Sequence, residues 1–488
     1  MKKLLLLICI SVILLSSCDW LLDALGGGTK TFWAINMTTE RFYQLSAELL
    51  AENEYCEVWV ERGSGVTQST AEKMAAEYLT IRTKMLNAFG SSIQIDGKNY
   101  DTIQIADYYG NEDGKLTILL LDIKDGYRKD VNDEFVAGYF YSGDFYPDES
   151  ADRSNECDMI YVDTNPALKE KPEDAYSTLA HELQHMMNFA TSLMYRSEKN
   201  DKGQITRIYQ MDTWINEGLS SAAEYVYSGE HLIDRWGWYY LNGDGDGLID
   251  KGNNFFVWGN RKNENPYANQ DDYATVYLFF QWLRIQSGGT EIYKEIIKSD
   301  KNNYLAVTGA ASKFDSSYNG NWERLLGDWL SANYIYDPNG RHGYKDDFKF
   351  YNKANQLLTI KGLHLLSTTA KTVNLYPGEG VFSKINGSYN TSNNVNIRYS
   401  KLIGSGIPDA LLTYNVNTVI TDTFATGSIT GVRANVNVAD PVNGRSVASQ
   451  FSITGPYRIG AGDVNGGFRD LPPAGVLQLP NSLLLREE

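Results

Sequence analysis

Cysteine and histidine are both scarce in this chain of 488 residues, at four and five copies. Four cysteines cannot build a disulfide scaffold or a large thiolate cluster. The histidines are His181, His185, His231, His342 and His364, so a motif using two of them four residues apart carries weight. Basic residues are outnumbered, 44 against 61 acidic ones, for a formal charge of -17. That balance argues against a nucleic-acid partner, which requires a basic face to neutralise phosphates; it reads as a solvated surface suited to export. Only 12 prolines and a mean hydropathy of -0.37 argue against wholesale disorder. No repeat of fixed period is present. What remains, 42% apolar and 22% charged residues, describes a soluble globular chain too long for one hydrophobic core.

The first residues read as an address. Met1-Lys2-Lys3 is a short positive segment, and Leu4 to Leu15 is an apolar run shorter than the ~20 residues a spanning helix needs. Leu15-Ser16-Ser17-Cys18 resembles a bacterial lipobox. The resemblance implies a signal peptide over 1–17, cleavage before Cys18, and a diacylglyceryl thioether with N-acylation there, which would hold the protein in the bacterial cell envelope. An ordinary signal peptide with an incidental cysteine is the plain alternative. With Cys9 removed and Cys18 alkylated, Cys56 and Cys157 remain. In an exported protein they suggest one disulfide, with two buried thiols as the alternative.

Behind a tether at 18–30, the pattern over 31–165 mixes strands and helices. Cys56 to Val60 alternates like a strand, Ala71 to Phe89 has helical spacing, and Leu116 to Ile123 and Met159 to Val162 are apolar strand-like runs. From 166 to 365 the periodicity is mainly helical. Over 366–488 the composition turns to Ser, Thr, Asn and Gly, with strand-like runs at Val395 to Tyr399, Ala410 to Tyr414 and Phe451 to Ile453. The expected architecture is α+β: a mixed N-terminal part, a mainly helical catalytic part and a β-sandwich-like accessory domain.

The chemistry centres on His181-Glu182-Leu183-Gln184-His185. Pro172, Glu173 and Asp174 suit a helix N-terminus, and no breaker follows until past Phe189. At 3.6 residues per turn His181 and His185 share a face and can bind one zinc ion, with Glu182 placed to take a proton from water. Two histidines on a packed helix are the bland alternative. Downstream, Thr213 to Tyr225 reads as a second helix ending near Gly229. Glycine three residues and histidine six residues after His185 would mark a metzincin; Asn188 and Thr191 stand there instead.

The segment Trp214-Ile215-Asn216-Glu217-Gly218 resembles that of gluzincins related to aminopeptidase N. The likeness implies Glu217 as third zinc ligand and Glu224 as a supporting residue behind the metal. Its spacing from His185 is longer than in those enzymes, with a loop over Glu198 to Gln204 expected to absorb the excess. Glu230 and His231 are weaker ligand candidates. In the same relatives a tyrosine beginning a later helix polarises the substrate carbonyl. Tyr273, ahead of the apolar helix Leu278 to Ile285, fits that place best; Tyr277, Tyr267 and His231 are the alternatives. With Asp113 to Leu116 and Asp158 to Asp163 added, the match is closer to hyicolysin-type bacterial metallopeptidases over about residues 100 to 300. It implies a zincin-like fold and a zinc endopeptidase acting on protein or peptide. The Gly-x-Met-Glu-Asn segment of the aminopeptidases is missing, which favours internal cleavage.

Asn242, Asp244, Asp246 and Asp250 follow calcium-loop positions, but position twelve is Asn253 rather than glutamate. A structural calcium site and a Gly/Asp-rich turn both fit. The rival to a peptidase is a surface-binding lipoprotein with a vestigial zinc site; an intact Glu182 argues against it, because a binder has no use for that base. An aminopeptidase is the alternative within the class.

Overall fold

The computed structural model describes residues 28–39, 41–90, 114–129, 135–145, 153–170, 172–201, 205–232, 268–345, 372–385, 394–404 and 406–418, with short segments between and beyond. Cys18, the 242–253 loop, Tyr267, His364 and Phe451 to Ile453 lie outside the described residues.

Six strands form one mixed sheet: β1 (Thr29–Asn36), β2 (Arg41–Glu52), β3 (Cys56–Glu61), β4 (Leu116–Leu121), β5 (Gly138–Tyr139) and β6 (Met159–Asp163), in the order β1-β2-β3-β4-β6-β5. β3, β4 and β6 run parallel at its centre, and the outer pairs are antiparallel. A parallel pair needs a crossover; helix α1 (Gln68–Ala88) lies between β3 and β4 in the chain, its start capped by the Thr67 hydroxyl accepting from Thr70 N at 3.2 Å. Strand periodicity divides the side chains between two layers. Val58, Val60, Ile118, Leu120, Ile160 and Val162 join the helical core. Trp59, Leu119, Leu121, Met159 and Tyr161 face a smaller core on the other side.

That division overturns the expected disulfide. Cys56 belongs to the helix-side core and Cys157 to the opposite one, and both are buried free thiols. Burial pushes the Cys56 thiol up to about 12 and raises that of Cys157 as well.

The helical part stacks on the sheet. α2 (Pro172–Tyr195) is buried without interruption from Thr178 to Leu193, and α3 (Thr213–Ser228) packs along it. Gly229, at φ +74°, ends α3 in the left-handed conformation that glycine adopts without strain. The expected 198–204 loop is in part a hairpin, β7 (Ser197–Lys199) against β8 (Ile205–Ile208). α4 (Ala268–Ser287), α5 (Glu291–Ile297), α6 (Tyr304–Ala311) and α7 (Trp322–Ile335) complete the layer. Trp214, fully buried, holds α3 among Phe255, Phe256, Phe279, Phe280 and Trp322, all within about 6 Å between ring centroids. Arg196 closes the end of α2. Its guanidinium donates to Asn188 O and Ser192 Oγ of α2, and to Ile297 O and Ser299 O at the end of α5. A cation at the C-terminus of α5 is favoured by that helix's dipole.

The tail is β-rich where described. Strands β9 (Gly380–Lys384), β10 (Ile397–Leu402) and β11 (Ala410–Asn415) form an antiparallel sheet with β11 central. The sheet rests on α7, with Phe382 stacked on Tyr334 at 5.1 Å, and shares its core with the helices. Among the described residues no helix is long and apolar enough to cross a membrane.

Candidate active site

α2 and α3 lie side by side, and the polar groups in their seam are the ones with metal-binding chemistry. His181, Glu182, His185, Glu217 and Glu224 are each no more than 6% exposed. The helical period brings the two imidazoles within 4.8 Å between ring centroids. Glu217 rises from α3 to face both: its Oε2 stands 3.5 Å from His181 Nε2 and 3.6 Å from His185 Nε2. His181, Glu182 and His185 alone already form a cluster in which one ligand atom from each lies within 4.8 Å of the others.

Hydrogen bonding marks the purpose of this seam. His181 Nε2, His185 Nε2 and both Glu217 oxygens are buried without a hydrogen-bond partner. An orphaned buried polar atom costs about 1–3 kcal/mol, so four of them in one seam make a poor arrangement unless a cation joins them. Atoms 2.0–2.2 Å from a tetrahedral ion stand about 3.3–3.6 Å apart, and the two separations of 3.5 and 3.6 Å fall in that range. Two imidazoles and a carboxylate are also the donor set of catalytic zinc. The residues fit the metal.

The opposite nitrogens are all engaged. Nδ1 of His181 pairs with Glu224 Oε1 at 2.9 Å, and Nδ1 of His185 with Ser220 Oγ at 3.0 Å. Burial disfavours the His181 cation, but the Glu217 and Glu224 carboxylates outweigh it and carry its pKa to about 10. Burial dominates at His185, lowered to about 4, leaving a neutral imidazole with a free lone pair. For Glu217 burial works against ionisation; His185, His181 and the nearby Tyr273 hydroxyl outweigh it and hold the carboxyl below its ordinary value.

Among the carbonyl-polarising candidates, Tyr273 reaches the seam. It is buried, beside Glu217, with the Arg235 guanidinium 4.6 Å from its ring centroid. It does not begin its helix as expected: α4 starts at Ala268, and Tyr273 lies in the second turn. Tyr277, one turn on, is held elsewhere. Its hydroxyl accepts from Leu232 N and meets His231 Nδ1, both at 3.0 Å. His231 is stacked between Tyr225 and Phe348 and also pairs with Asp347 Oδ2. His231 is occupied by these contacts and Glu230 is exposed; neither belongs to the cluster of His181, Glu182 and His185.

Three groups at the seam were not anticipated from the sequence: Ser220, Gln184 and the Asn188–Asn216 pair, whose carboxamides meet at 2.6 Å. Ser220 follows Glu217 by three residues, a spacing that shares a helix face; that was the available signal. A cavity of about 20 Å³, roughly one water, lies beside Glu182 and His185, lined also by Ser142, Asn188, Asn216 and Phe189. From the sheet, Gly138 of β5 presses on the same helix. A Cβ there would stand 2.6 Å from Thr178 Cγ2 and 3.4 Å from Glu182 Cγ.

No family model matches the chain. Among individual proteins it is similar to a neutral metalloprotease, ShpI of Staphylococcus hyicus, with 30% identity over 293 residues. The alignment takes in 58% of this chain and 58% of the relative, so the chain spans less than two thirds of that protein's length.

Proposed function

We propose that this chain is a zinc-dependent peptidase that cleaves internal peptide bonds, with His181, His185 and Glu217 as the metal ligands. The observation that carries the reading is the convergence of two imidazole nitrogens and one carboxylate, buried and without hydrogen-bond partners, beside a further carboxylate, Glu182. Similarity to a neutral metalloprotease supports the same class. Zinc held there would act as a Lewis acid on the carbonyl and bring the pKa of its water towards ~7.

The chain's own groups divide the remaining work. Glu182 accepts the proton of the attacking water and returns it to the leaving amine. Tyr273 donates to the oxyanion; losing such a donor typically costs ~10²–10³ in rate. Glu224 keeps His181 oriented through Nδ1. The lipobox-like Leu15-Ser16-Ser17-Cys18 supports a lipid-anchored location in the bacterial cell envelope, with protein or peptide as substrate.

Glu182→Gln should retain one zinc per chain while casein cleavage disappears, measured by metal content and a digest of the same preparation. Retained hydrolysis would reject Glu182 as the base. Cleavage of amino-acid anilides in preference to casein would move the assignment to an aminopeptidase.

A further inference from the structure

The two histidines are supported unequally, and the difference assigns a role to residues outside the metal set. Behind His181 stands a carboxylate. Behind His185 stands a neutral chain: Ser220 Oγ lies 3.0 Å from His185 Nδ1, and the Ser220 hydroxyl donates to Gln184 Oε1 at 2.6 Å. All three residues are buried. A serine hydroxyl has one proton. The Gln184 carbonyl oxygen can only accept, so that proton is committed to Gln184. Ser220 then has only a lone pair for His185, and Nδ1 must carry the hydrogen. Nε2 is left bare and turned towards Glu217.

The carboxamide orientation is therefore decisive. Turned over, Gln184 would donate to Ser220, Ser220 would donate to Nδ1, and the imidazole hydrogen would move to Nε2, where it blocks metal ligation.

We propose that Ser220 and Gln184 form a tautomer-setting relay, two positioning residues that hold His185 with its hydrogen on Nδ1 and its lone pair on the metal-facing Nε2. Gln184 sits between the histidines in sequence, one residue before His185, and its carboxamide oxygen meets Ser220 of α3. Its Nε2 is buried without a partner. An acceptor-only side chain would serve this position equally well, and this separates the relay from simple packing. The inference rests on the reading of His181, His185 and Glu217 as zinc ligands.

Zinc affinity, measured by competition with a chromogenic chelator, tests it independently of hydrolysis. Ser220→Ala should weaken zinc binding about 10–100-fold, the usual consequence of removing a hydrogen-bond partner from a ligating imidazole. Gln184→Leu should do the same. Gln184→Glu, which accepts but does not donate once ionised, should, with affinities compared at alkaline pH, bind zinc within about threefold of the wild-type chain, a tolerance set well inside that 10–100-fold range. With zinc saturating, Ser220→Ala should recover much of its peptidase rate, because the defect lies in loading. Wild-type affinity in both Ser220→Ala and Gln184→Leu would overturn the relay while leaving the zinc site standing. Equal losses in Gln184→Leu and Gln184→Glu would overturn it too, by showing that packing rather than acceptor chemistry matters. A wild-type chain that takes up no zinc would remove the metal reading and the relay with it.

Discussion

Asp144 lies on the far side of the sheet from the metal seam and is fully buried. Its carboxylate receives Asn155 N at 2.8 Å, Asn155 Nδ2 at 3.1 Å and the Tyr161 hydroxyl at 2.7 Å. Asn155 in turn clasps the backbone of Trp33 in β1 through both its carboxamide atoms, so this cluster ties β1 to β6. Burial raises the Asp144 pKa to about 7; the Tyr161 and Asn155 hydrogen bonds and the Lys30 charge counter it only in part. An unfolded aspartate titrates near 3.9. Between about pH 4 and 7 the folded chain binds a proton here that the unfolded chain does not. Stability therefore falls as pH rises, by 1.36 kcal/mol per unit. The contribution is complete below pH 4 and gone above 7, about 4 kcal/mol across the window. Asp144→Asn tests this with little change of shape. The new carboxamide oxygen can still accept from Asn155, its NH₂ can donate to Tyr161, and Tyr161 can pass its own proton to Trp33 O, 3.3 Å away. Urea unfolding of both proteins at pH 5 and pH 8 provides the assay. The variant should gain about 3 kcal/mol relative to wild type between the two pH values, two units of the window. Asp163, also raised to about 7, is common to both proteins and cancels in the comparison. An identical stability gap at the two pH values would refute a protonated Asp144 in the folded chain.

Gly218 lets α3 ride directly on α4, since a Cβ would lie 2.4 Å from Phe280 Cδ2. Gly218→Ala should destabilise the fold by about 1–3 kcal/mol through overpacking and weaken zinc binding by moving Glu217; thermal melting and chelator competition read the two effects. At the other end of the chain, Cys18→Ala should shift the protein from the membrane fraction to soluble or unprocessed material. An unchanged fractionation pattern would remove the lipid anchor.

Local patterns were legible where one element suffices. The central strands were expected at Cys56 to Val60, Leu116 to Ile123 and Met159 to Val162, and run Cys56–Glu61, Leu116–Leu121 and Met159–Asp163, because their apolar side chains are demanded on both faces of a covered sheet. α3 ends at Gly229 because a left-handed terminal residue has a sequence signature. The tail's strands at 397–402 and 410–415 were visible in the same way, but their seat on α7 was not. Tyr273 and Tyr277 are one turn apart on the same helix, and no local property separates them. One meets Glu217 and the other His231 only because of how α3, α4 and the segment at 347–348 pack.

The sequence by itself determined the pairing of His181 with His185, since four residues on a helix are one turn and put two imidazoles on one face. It could propose Glu217 by likeness but not bring it there. Only the tertiary structure decided that α3 lies along α2 with Glu217 3.5–3.6 Å from both Nε2 atoms, that Ser220 and Gln184 meet behind His185, and that Cys56 and Cys157 stand on opposite faces of one sheet. Those facts depend on contacts between elements distant in the chain, which packing sets and local periodicity does not encode.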